Sequence, residues 1–290
     1  MKKHKWLHSF QGIARSELSG DWIVTTSADR CAPALKKSGK IIQFPASHGL
    51  PQKKPADTVE ADIPKELRKK GYNHPGDPDW AAPPDTKTAS PFLFVPLEAM
   101  DRDRVPLVLV YRDTADEPLQ GGWNSVPLAA NTKRNEAPWL AVQPGTGVVF
   151  TSQFHMNSAC GWLRAYVVTI LENRKQVAID CGTEVPLYDR DGRPINIGRI
   201  QGGDFSPGGD LYLLAEAGDH GPGIYMFEME KGSLTGFIPV GLSRSLVRPE
   251  EFEGLTYGDT GGFQLHAVLK AERITHVLLT FKHWNMMETP

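Results

Sequence analysis

Short apolar runs separated by turn residues occur along the whole chain. Val, Ile, Leu, Phe and Tyr are frequent in the runs, and Gly and Pro, 28 and 23 of the 290 residues, punctuate them. This pattern predicts many short β-strands joined by turns. Residues 64–70, which begin with Pro and precede Gly71, have the end signals of a helix. We therefore expect an all-β chain with one short surface helix.

A turn that contains Gly precedes an apolar run at five places, at intervals of roughly 50 to 70 residues. The turn glycines are Gly12, Gly76, Gly145, Gly203 and Gly254. A further apolar run completes each unit, at residues 40–44, 105–111, 163–170, 223–228 and 276–282. Repeated units of three or more antiparallel strands are typical of propeller blades. The sequence thus predicts a β-propeller of five, possibly six, blades in one domain spanning residues 1–290.

Two long segments interrupt this pattern, at about residues 45–72 and 113–138. The first is rich in Pro and Lys, and the second contains Gly121, Gly122 and a polar stretch at residues 131–135. Loops of this length in a compact domain are usually functional or disordered. We interpret both as loop insertions, either as a lid over a site or as surface connections.

Composition and charge exclude several classes of protein. The hydrophobic fraction of 40% and the charged fraction of 23% are ordinary for a globular chain. A formal net charge of -2 argues against a nucleic-acid partner, and no apolar run has the length of a membrane span. The polar start of the chain is unlike a signal peptide, which predicts a cytoplasmic protein if the chain is complete; a trimmed secreted form would look the same.

Three cysteines, Cys31, Cys160 and Cys181, cannot all pair with one another. None has the spacing of a redox or zinc motif. We expect reduced structural thiols, with a Cys160–Cys181 disulfide as the alternative.

Four segments resemble bacterial β-propeller proteins of the broad six-bladed, NHL-like and gluconolactonase-like type. They are residues 71–79, 94–98, 202–213 and 251–256. The similarity covers mainly residues 71–284, and the blade-like pattern at residues 205–213 carries most of it. The resemblance implies a propeller fold and leaves the substrate open.

In a propeller the innermost strands line a central channel, so the polar residues of the repeat turns are expected to face it. These residues are Gln11, Asp77, Asp79, Gln143, Asp204 and Glu253. Several carboxylates held close together repel one another unless a proton or a cation lies between them. We therefore predict a site for calcium or another divalent cation with Asp77, Asp79, Asp204 and Glu253 as ligands. The alternative is that these carboxylates cap turns by accepting backbone hydrogen bonds.

Two histidines and two glutamates are candidates for acid–base catalysis. His74 lies beside Asp77 and Asp79 in the sequence, and His155 is near the end of a comparable strand in another blade. Glu98 and Glu216 occupy matching ends of second strands and could divide the roles of acid and base. The alternatives are structural histidines and salt bridges at blade edges.

The remaining candidates concern substrate and reaction. Gln11, Gln143 and Trp123 are predicted to contact substrate, although tryptophans in propellers often serve to pack blades. No nucleophile elbow, zinc-binding histidine pair, phosphate loop or dinucleotide fingerprint occurs, so no nucleotide cofactor is expected. The leading hypothesis is a small-molecule hydrolase, lyase or isomerase that uses a cation or a His/carboxylate group. The competing hypothesis is a non-catalytic binding propeller, lectin-like or a scaffold for a protein partner.

Overall fold

The computed structural model describes the chain apart from residues 1, 4–8, 17–18, 28–37, 46–52, 82–91, 99–103, 113–118, 120–122, 129–135, 160, 172–175, 180–181, 243, 246–247, 261–262, 274–275 and 287–290. Cys31, Cys160 and Cys181 therefore lie outside the described residues.

The described residues form many short strands and one helix. In chain order they are β1 (Lys2–Lys3), β2 (Phe10–Arg15), β3 (Trp22–Thr26), β4 (Lys40–Phe44), β5 (Val59–Asp62), α1 (Lys65–Lys69), β6 (Asp79–Ala81), β7 (Phe92–Leu97), β8 (Leu107–Arg112), β9 (Trp123–Pro127), β10 (Ala141–Val142), β11 (Val148–Thr151), β12 (His155–Met156), β13 (Leu163–Leu171), β14 (Gln176–Ile179), β15 (Thr183–Val185), β16 (Ile197–Phe205), β17 (Leu211–Gly218), β18 (Gly223–Glu228), β19 (Ser233–Pro239), β20 (Arg244–Ser245), β21 (Arg248–Thr260), β22 (Phe263–Arg273) and β23 (His276–Trp284). Within this part of the chain, no helix has the length and apolar character needed to cross a membrane.

These strands pair into five antiparallel sheets. Sheet 1 has the order β2-β3-β4-β5 and sheet 2 the order β6-β7-β8-β9. Sheet 3 has the order β10-β11-β13-β14, with β15 also paired to β13, and sheet 4 has the order β12-β16-β17-β18-β19. Sheet 5 has the order β1-β23-β22-β21-β20, so the first strand of the chain completes the last sheet.

One strand of each sheet lies at the centre of the molecule. These inner strands are β2, β6, β10, β16 and β21. Each contacts the inner strand of the next sheet, and β21 in turn contacts β2, so the inner strands surround a common axis. We call the end of the axis where the inner strands begin the upper end, and the opposite end the lower end.

The hydrophobic core lies between neighbouring sheets rather than at the axis. Leu93 and Ile23 belong to a buried cluster between sheets 1 and 2, and Trp139 and Leu213 to one between sheets 3 and 4. Three further clusters join sheets 2 and 3, sheets 4 and 5, and sheets 5 and 1. Because apolar residues cover both faces of the sheets, strands such as β3 and β7 are buried along their whole length. This double burial explains why the apolar runs of the sequence are continuous rather than alternating.

The predicted all-β propeller fold is confirmed, and α1 lies at the predicted helix. A propeller arrangement is recognised with four blades rather than the expected five or six, although the described strands fall into five sheets. The two predicted insertions need correction. Each contains a strand that forms the outer edge of a sheet, β5 in the first segment and β9 in the second. Their polar composition concealed these strands because an edge strand is largely solvated.

Candidate functional site at the propeller axis

Asp77 fills the centre of the axis, two residues before β6. Its side chain is fully buried. Oδ1 accepts a hydrogen bond from the N–H of Ile13 at 2.7 Å, and Oδ2 accepts from Leu255 at 3.1 Å and from Gly203 at 3.3 Å. The donors belong to β2, β21 and β16, so a single carboxylate binds the inner strands of sheets 1, 5 and 4.

The backbone of Asp77 reaches the remaining sheet. Its N–H donates to the carbonyl of Pro138 at 2.9 Å, and its carbonyl accepts from Leu140 at 3.1 Å, immediately before β10. Asp77 therefore connects all five sheets.

Glycines of the inner strands make room for Asp77. A Cβ on Gly12 would overlap the Cα of Asp77, and a Cβ on Gly254 would lie 2.5 Å from its Oδ1. The strands also have bulges immediately before Gly12, Gly202 and Gly254, which bring the backbone N–H groups toward the axis. Burial raises the pKa of the Asp77 carboxyl well above its ordinary value, while the three backbone donors act in the opposite direction.

Asp79 and Asp204 occupy equivalent positions below Asp77. Asp79 accepts from its neighbour Trp80 and from Val142 of the next sheet, both at 2.6 Å. Asp204 repeats the pattern with Phe205 and Tyr257, again at 2.6 Å. Each carboxylate thus fastens one inner strand to that of the following sheet.

The upper end contains ionisable groups in contact with one another. His74 Nδ1 lies 3.0 Å from Oε1 of Glu98, a close contact without the alignment of a hydrogen bond. The backbone N–H of Glu98 donates to the carbonyl of His74 at 3.0 Å. These two contacts hold the imidazole ring at the beginning of the inner strand of sheet 2.

Glu253 lies close to this pair on the bulge of β21. Its carboxylate contacts Nζ of Lys270 on β22, and both residues are buried. Lys270 Nζ also lies 3.5 Å from Oε2 of Glu251. Burial raises the pKa of Glu253 to about 7, with Lys270 lowering it, the negative charge of Glu251 raising it and His74 lowering it. Glu253 is therefore protonated more readily than an ordinary glutamate.

Glu216 extends the cluster on the side of sheet 4. Its Oε1 accepts from the N–H of Phe252 at 3.2 Å, and its Oε2 lies 3.0 Å from Nε of Arg199. Burial raises the pKa of Glu216, partly offset by Arg199. Arg199 has a φ of 53°, a left-handed conformation that costs a non-glycine residue energy and is often found at functional sites.

The predicted polar ring is therefore divided between the two ends of the axis. His74, Glu98, Glu216 and Glu253 come together at the upper end. The half-buried Gln11 precedes Gly12 at the level of Asp77, and its side-chain amide donates to the carbonyl of Phe10. Gln143 lies at the lower end, in the turn after β10. His155 is exposed on β12, where it pairs with Gly198 beside Arg199 and not with the cluster around His74.

The structure places Trp123 and the four proposed calcium ligands differently from the arrangement expected from the sequence. Trp123 is exposed on β9, the outermost strand of sheet 2, and so lies away from the axis. The four proposed calcium ligands are not gathered at one point, because Asp77 is central, Asp79 and Asp204 lie below it and Glu253 lies above it. Within the described residues, no group of three or more His, Cys, Asp or Glu side chains could hold a metal ion. The alternative interpretation, in which the aspartates bind backbone N–H groups, accounts for Asp77, Asp79 and Asp204.

The sequence reasoning missed Lys270, Arg199 and Glu251. Lys270 had a usable signal, since it directly follows the apolar run of residues 267–269 inside β22, and a charge inside such a strand implies a buried partner. Arg199 and Glu251 had none, because each lies in a polar stretch that resembles any solvated turn.

Calcium is expected to have no effect on thermal stability, since Asp77, Asp79 and Asp204 already direct their oxygens at backbone N–H groups. The measurement is the melting temperature in buffer with calcium chloride and in buffer with a chelator. A higher melting temperature in calcium, together with metal found by elemental analysis, would restore the predicted cation site.

Comparison with known proteins supports the fold. No protein-family model matches the chain, and no curated protein matches it in sequence. A GH43_1 enzyme from Xanthomonas citri, solved with xylose, has a TM-score of 0.57 and 12% identity over 95% of this chain and 86% of that one. A mutant α-L-arabinanase from Cellvibrio cellulosa has a TM-score of 0.50 and 12% identity over 98% of this chain and 92% of that one. At this identity the likeness shows the fold alone.

The chain is thus a β-propeller protein with a cluster of ionisable side chains at the upper end of its axis. The comparisons do not support the NHL-like or gluconolactonase-like group specifically.

Proposed function

We propose that the upper end is the active site of a hydrolase acting on a small polar molecule by general acid–base catalysis. One observation carries the proposal: His74 and Glu98 lie 3.0 Å apart at the upper end beside the buried pair of Glu253 and Lys270, where burial raises the pKa of Glu253 to about 7. A carboxylic acid that keeps its proton near neutral pH, close to groups that can accept one, is the combination that acid–base hydrolysis requires.

The geometry suggests a role for each group. His74, oriented by Glu98, accepts a proton from the attacking water, and the negative charge of Glu98 stabilises the imidazolium that forms. Glu253 donates its proton to the leaving oxygen as the bond to that oxygen breaks. Lys270 then stabilises the carboxylate left on Glu253 until a proton is restored. The proton gained by His74 equals the proton lost by Glu253, so the catalyst is regenerated by one transfer through solvent.

Glycosides are the first substrates to test. The two propellers described above are named as a glycoside hydrolase of class GH43_1 and an arabinanase, and they guide the choice of substrates without establishing it. The cluster itself disfavours an anionic substrate, because the carboxylates of Glu98, Glu216 and Glu251 outnumber the cations Arg199 and Lys270.

Glu98→Gln tests this assignment while preserving the size of the side chain. We expect kcat to fall about 100-fold with KM little changed, since the amide cannot stabilise the imidazolium. The measurement is the hydrolysis of aryl xylosides and aryl arabinofuranosides, with heavy-oxygen water to distinguish hydrolysis from elimination or isomerisation.

Glu230→Gln, an exposed carboxylate between β18 and β19, is the matched control and should behave like the unmodified protein. Equal rates for Glu98→Gln and the control would remove Glu98 from the mechanism. Absence of hydrolysis across the glycoside panel would overturn the proposed substrate class.

We also infer that all five sheets act as blades of one five-bladed propeller. Five buried clusters each lie between two successive sheets, and the last joins sheet 5 to sheet 1. A crystal structure with four radial sheets, and the fifth packed elsewhere, would contradict this inference.

A further inference from the structure

Sheets 4 and 5 place opposite charges at equivalent positions of their inner strands. Arg199 on β16 and Glu251 on β21 each lie three residues before the glycine that follows the bulge of the strand. Nε of Arg199 lies 3.0 Å from Oε2 of Glu216 on β17, and Oε2 of Glu251 lies 3.5 Å from Nζ of Lys270 on β22. Sheet 4 therefore has the cation on its inner strand and the carboxylate on its second strand, and sheet 5 has the reverse.

A contact between the two sheets joins these pairs into one row of alternating charges. Nη2 of Arg199 lies 3.6 Å from Oε1 of Glu251, so the two oxygens of this carboxylate face different cations. Lys270 also contacts Glu253, the acid of the proposed mechanism. The side chains of Glu253 and Lys270 are 4% and 6% exposed, whereas those of Glu251 and Arg199 are 35% and 49% exposed. The row thus leads from a buried acid to a guanidinium in contact with solvent.

The ammonium group of Lys270 is shared between two carboxylates. The closer it lies to Glu251, the less it stabilises a negative charge on Glu253. Arg199 attracts Glu251 from the other side and offsets its charge. We propose that Arg199 is a positioning residue: by binding Glu251, it leaves Lys270 free to pair with the acid. The inference rests on the proposed function only in taking Glu253 as that acid.

The backbone conformation at this position does not explain the choice of an arginine. Ser9 lies at the equivalent place in sheet 1, three residues before Gly12, and its φ of 52° matches the φ of 53° at Arg199. A serine is therefore compatible with the bulge. The contacts with Glu216 and Glu251 are what distinguish Arg199 from its counterpart in sheet 1.

Electrostatic effects within the row agree with this coupling. Burial is the largest cause of the raised pKa of Glu253 and of Glu216, and the charge of Glu251 raises the pKa of both further, while Lys270 lowers both. Besides the four charges of sheets 4 and 5, the titratable groups near Glu253 in the described part of the chain are His74 and Glu98 in sheet 2 and Asp77 on the axis.

Two neutral substitutions should shift the pKa of Glu253 in opposite directions. Glu251→Gln should lower it by about 1, because Lys270 then has one carboxylate partner instead of two. Arg199→Gln should raise it by about 0.5, because the charge of Glu251 is no longer offset and solvent screens the rest. The pKa is measured by NMR of the full-length protein labelled with carbon-13 at the glutamate carboxyl groups. The Glu253 resonance is identified by its absence from Glu253→Gln.

The double variant tests whether Arg199 acts through Glu251. In the Glu251→Gln background, Arg199→Gln should leave the pKa of Glu253 unchanged, because the carboxylate that transmits its effect is gone. Arg199→Lys retains the positive charge and should keep the pKa close to that of the unmodified protein. Arg193→Gln is the matched control, since Arg193 pairs with Asp191 on an exposed turn before β16, and it should cause no shift.

Two results would overturn the proposal. The first is an unchanged or lowered pKa of Glu253 in Arg199→Gln. The second is a shift of equal size when Arg199→Gln is introduced with and without Glu251→Gln, because Arg199 would then act on Glu253 directly. Hydrolysis is a separate readout: the pH above which kcat/KM falls should move with the pKa in each variant. The expected pKa shifts without such a movement would confirm the coupling and remove Glu253 from the proposed mechanism.

Discussion

Asp77→Asn is expected to lower the free energy of unfolding by about 3 to 5 kcal/mol, the cost of leaving buried backbone donors without an acceptor. The carboxylate accepts from Ile13 through Oδ1 and from Leu255 and Gly203 through Oδ2. An asparagine has one acceptor oxygen, and its NH2 group would face N–H donors on the other side. The side-chain volume is nearly unchanged, so the loss would be due to hydrogen bonding rather than to a cavity. Urea denaturation followed by circular dichroism gives the change.

Asp219→Asn is the matched control for this prediction. Asp219 also accepts a backbone N–H, from Asn196 at 2.9 Å, but it lies on an exposed turn where water can replace the bond. We expect the control to lose less than about 1 kcal/mol. Similar losses for the two variants would mean that Asp77 does not hold the sheets together.

The role of Asp77 also shows where sequence reasoning reaches its limit. Gly76-Asp77 and Gly203-Asp204 look like copies of one turn, and the sequence-based alignment treats Asp77 and Asp204 as equivalent. In the structure, Asp77 lies at the same height along the axis as Gly12, Gly202 and Gly254. Asp79 is the true counterpart of Asp204, since both bind the next residue and the next inner strand in the same way.

The physical reason is that a single aspartate, Asp77, forms hydrogen bonds with the inner-strand segments of all the other sheets. Gly12, Gly202 and Gly254 lack a side chain because Asp77 occupies the space that each of their side chains would need. A repeat in which one copy fills the gap left by the others cannot be recognised from any single copy. The strands themselves were predictable, because β4 and β18 are apolar runs with clear turn signals at both ends.

The upper site was predictable only in part. Glu98 and Glu216 could be selected because each follows an apolar run, and His74 and Glu253 because they lie in or beside the repeat turns that are expected to face the channel. Their partners could not. Lys270 comes from the second strand of sheet 5, and only the pairing of β21 with β22 brings it against Glu253.

Glu253→Gln is expected to reduce kcat/KM for aryl glycosides by about 10³-fold at slightly acid pH, within the usual contribution of a general acid. The amide can still accept a hydrogen bond from Lys270, so the fold should persist. The unmodified protein should lose activity as the pH rises through about 7, because Glu253 must hold a proton in order to donate it. The Glu253→Gln variant should not show this loss of activity above about pH 7.

Comparing substrates with different leaving groups makes the test of Glu253 as the acid more specific. A substrate whose leaving group is already a weak base needs little help from an acid, so its rate should fall much less than that of a substrate with a strongly basic leaving group. A removed base or a disturbed fold would slow both substrates alike. Glu230→Gln again serves as the exposed control, and an equal loss for both leaving groups in Glu253→Gln would assign the proton to another residue.

Stability provides a second readout for Glu253 that does not depend on knowing the substrate. Its pKa in the folded protein, about 7, lies above the ordinary glutamate value of 4.5. The carboxyl group therefore favours the folded state fully below about pH 4.5, and this contribution is lost as the pH rises to about 7. In Glu253→Gln, the free energy of unfolding should depend less on pH between about pH 4.5 and pH 7 than it does in the unmodified protein. A flattened profile with unchanged rates would show that the Glu253–Lys270 pair is structural, and the search for the acid would then turn to Glu216, whose pKa burial also raises.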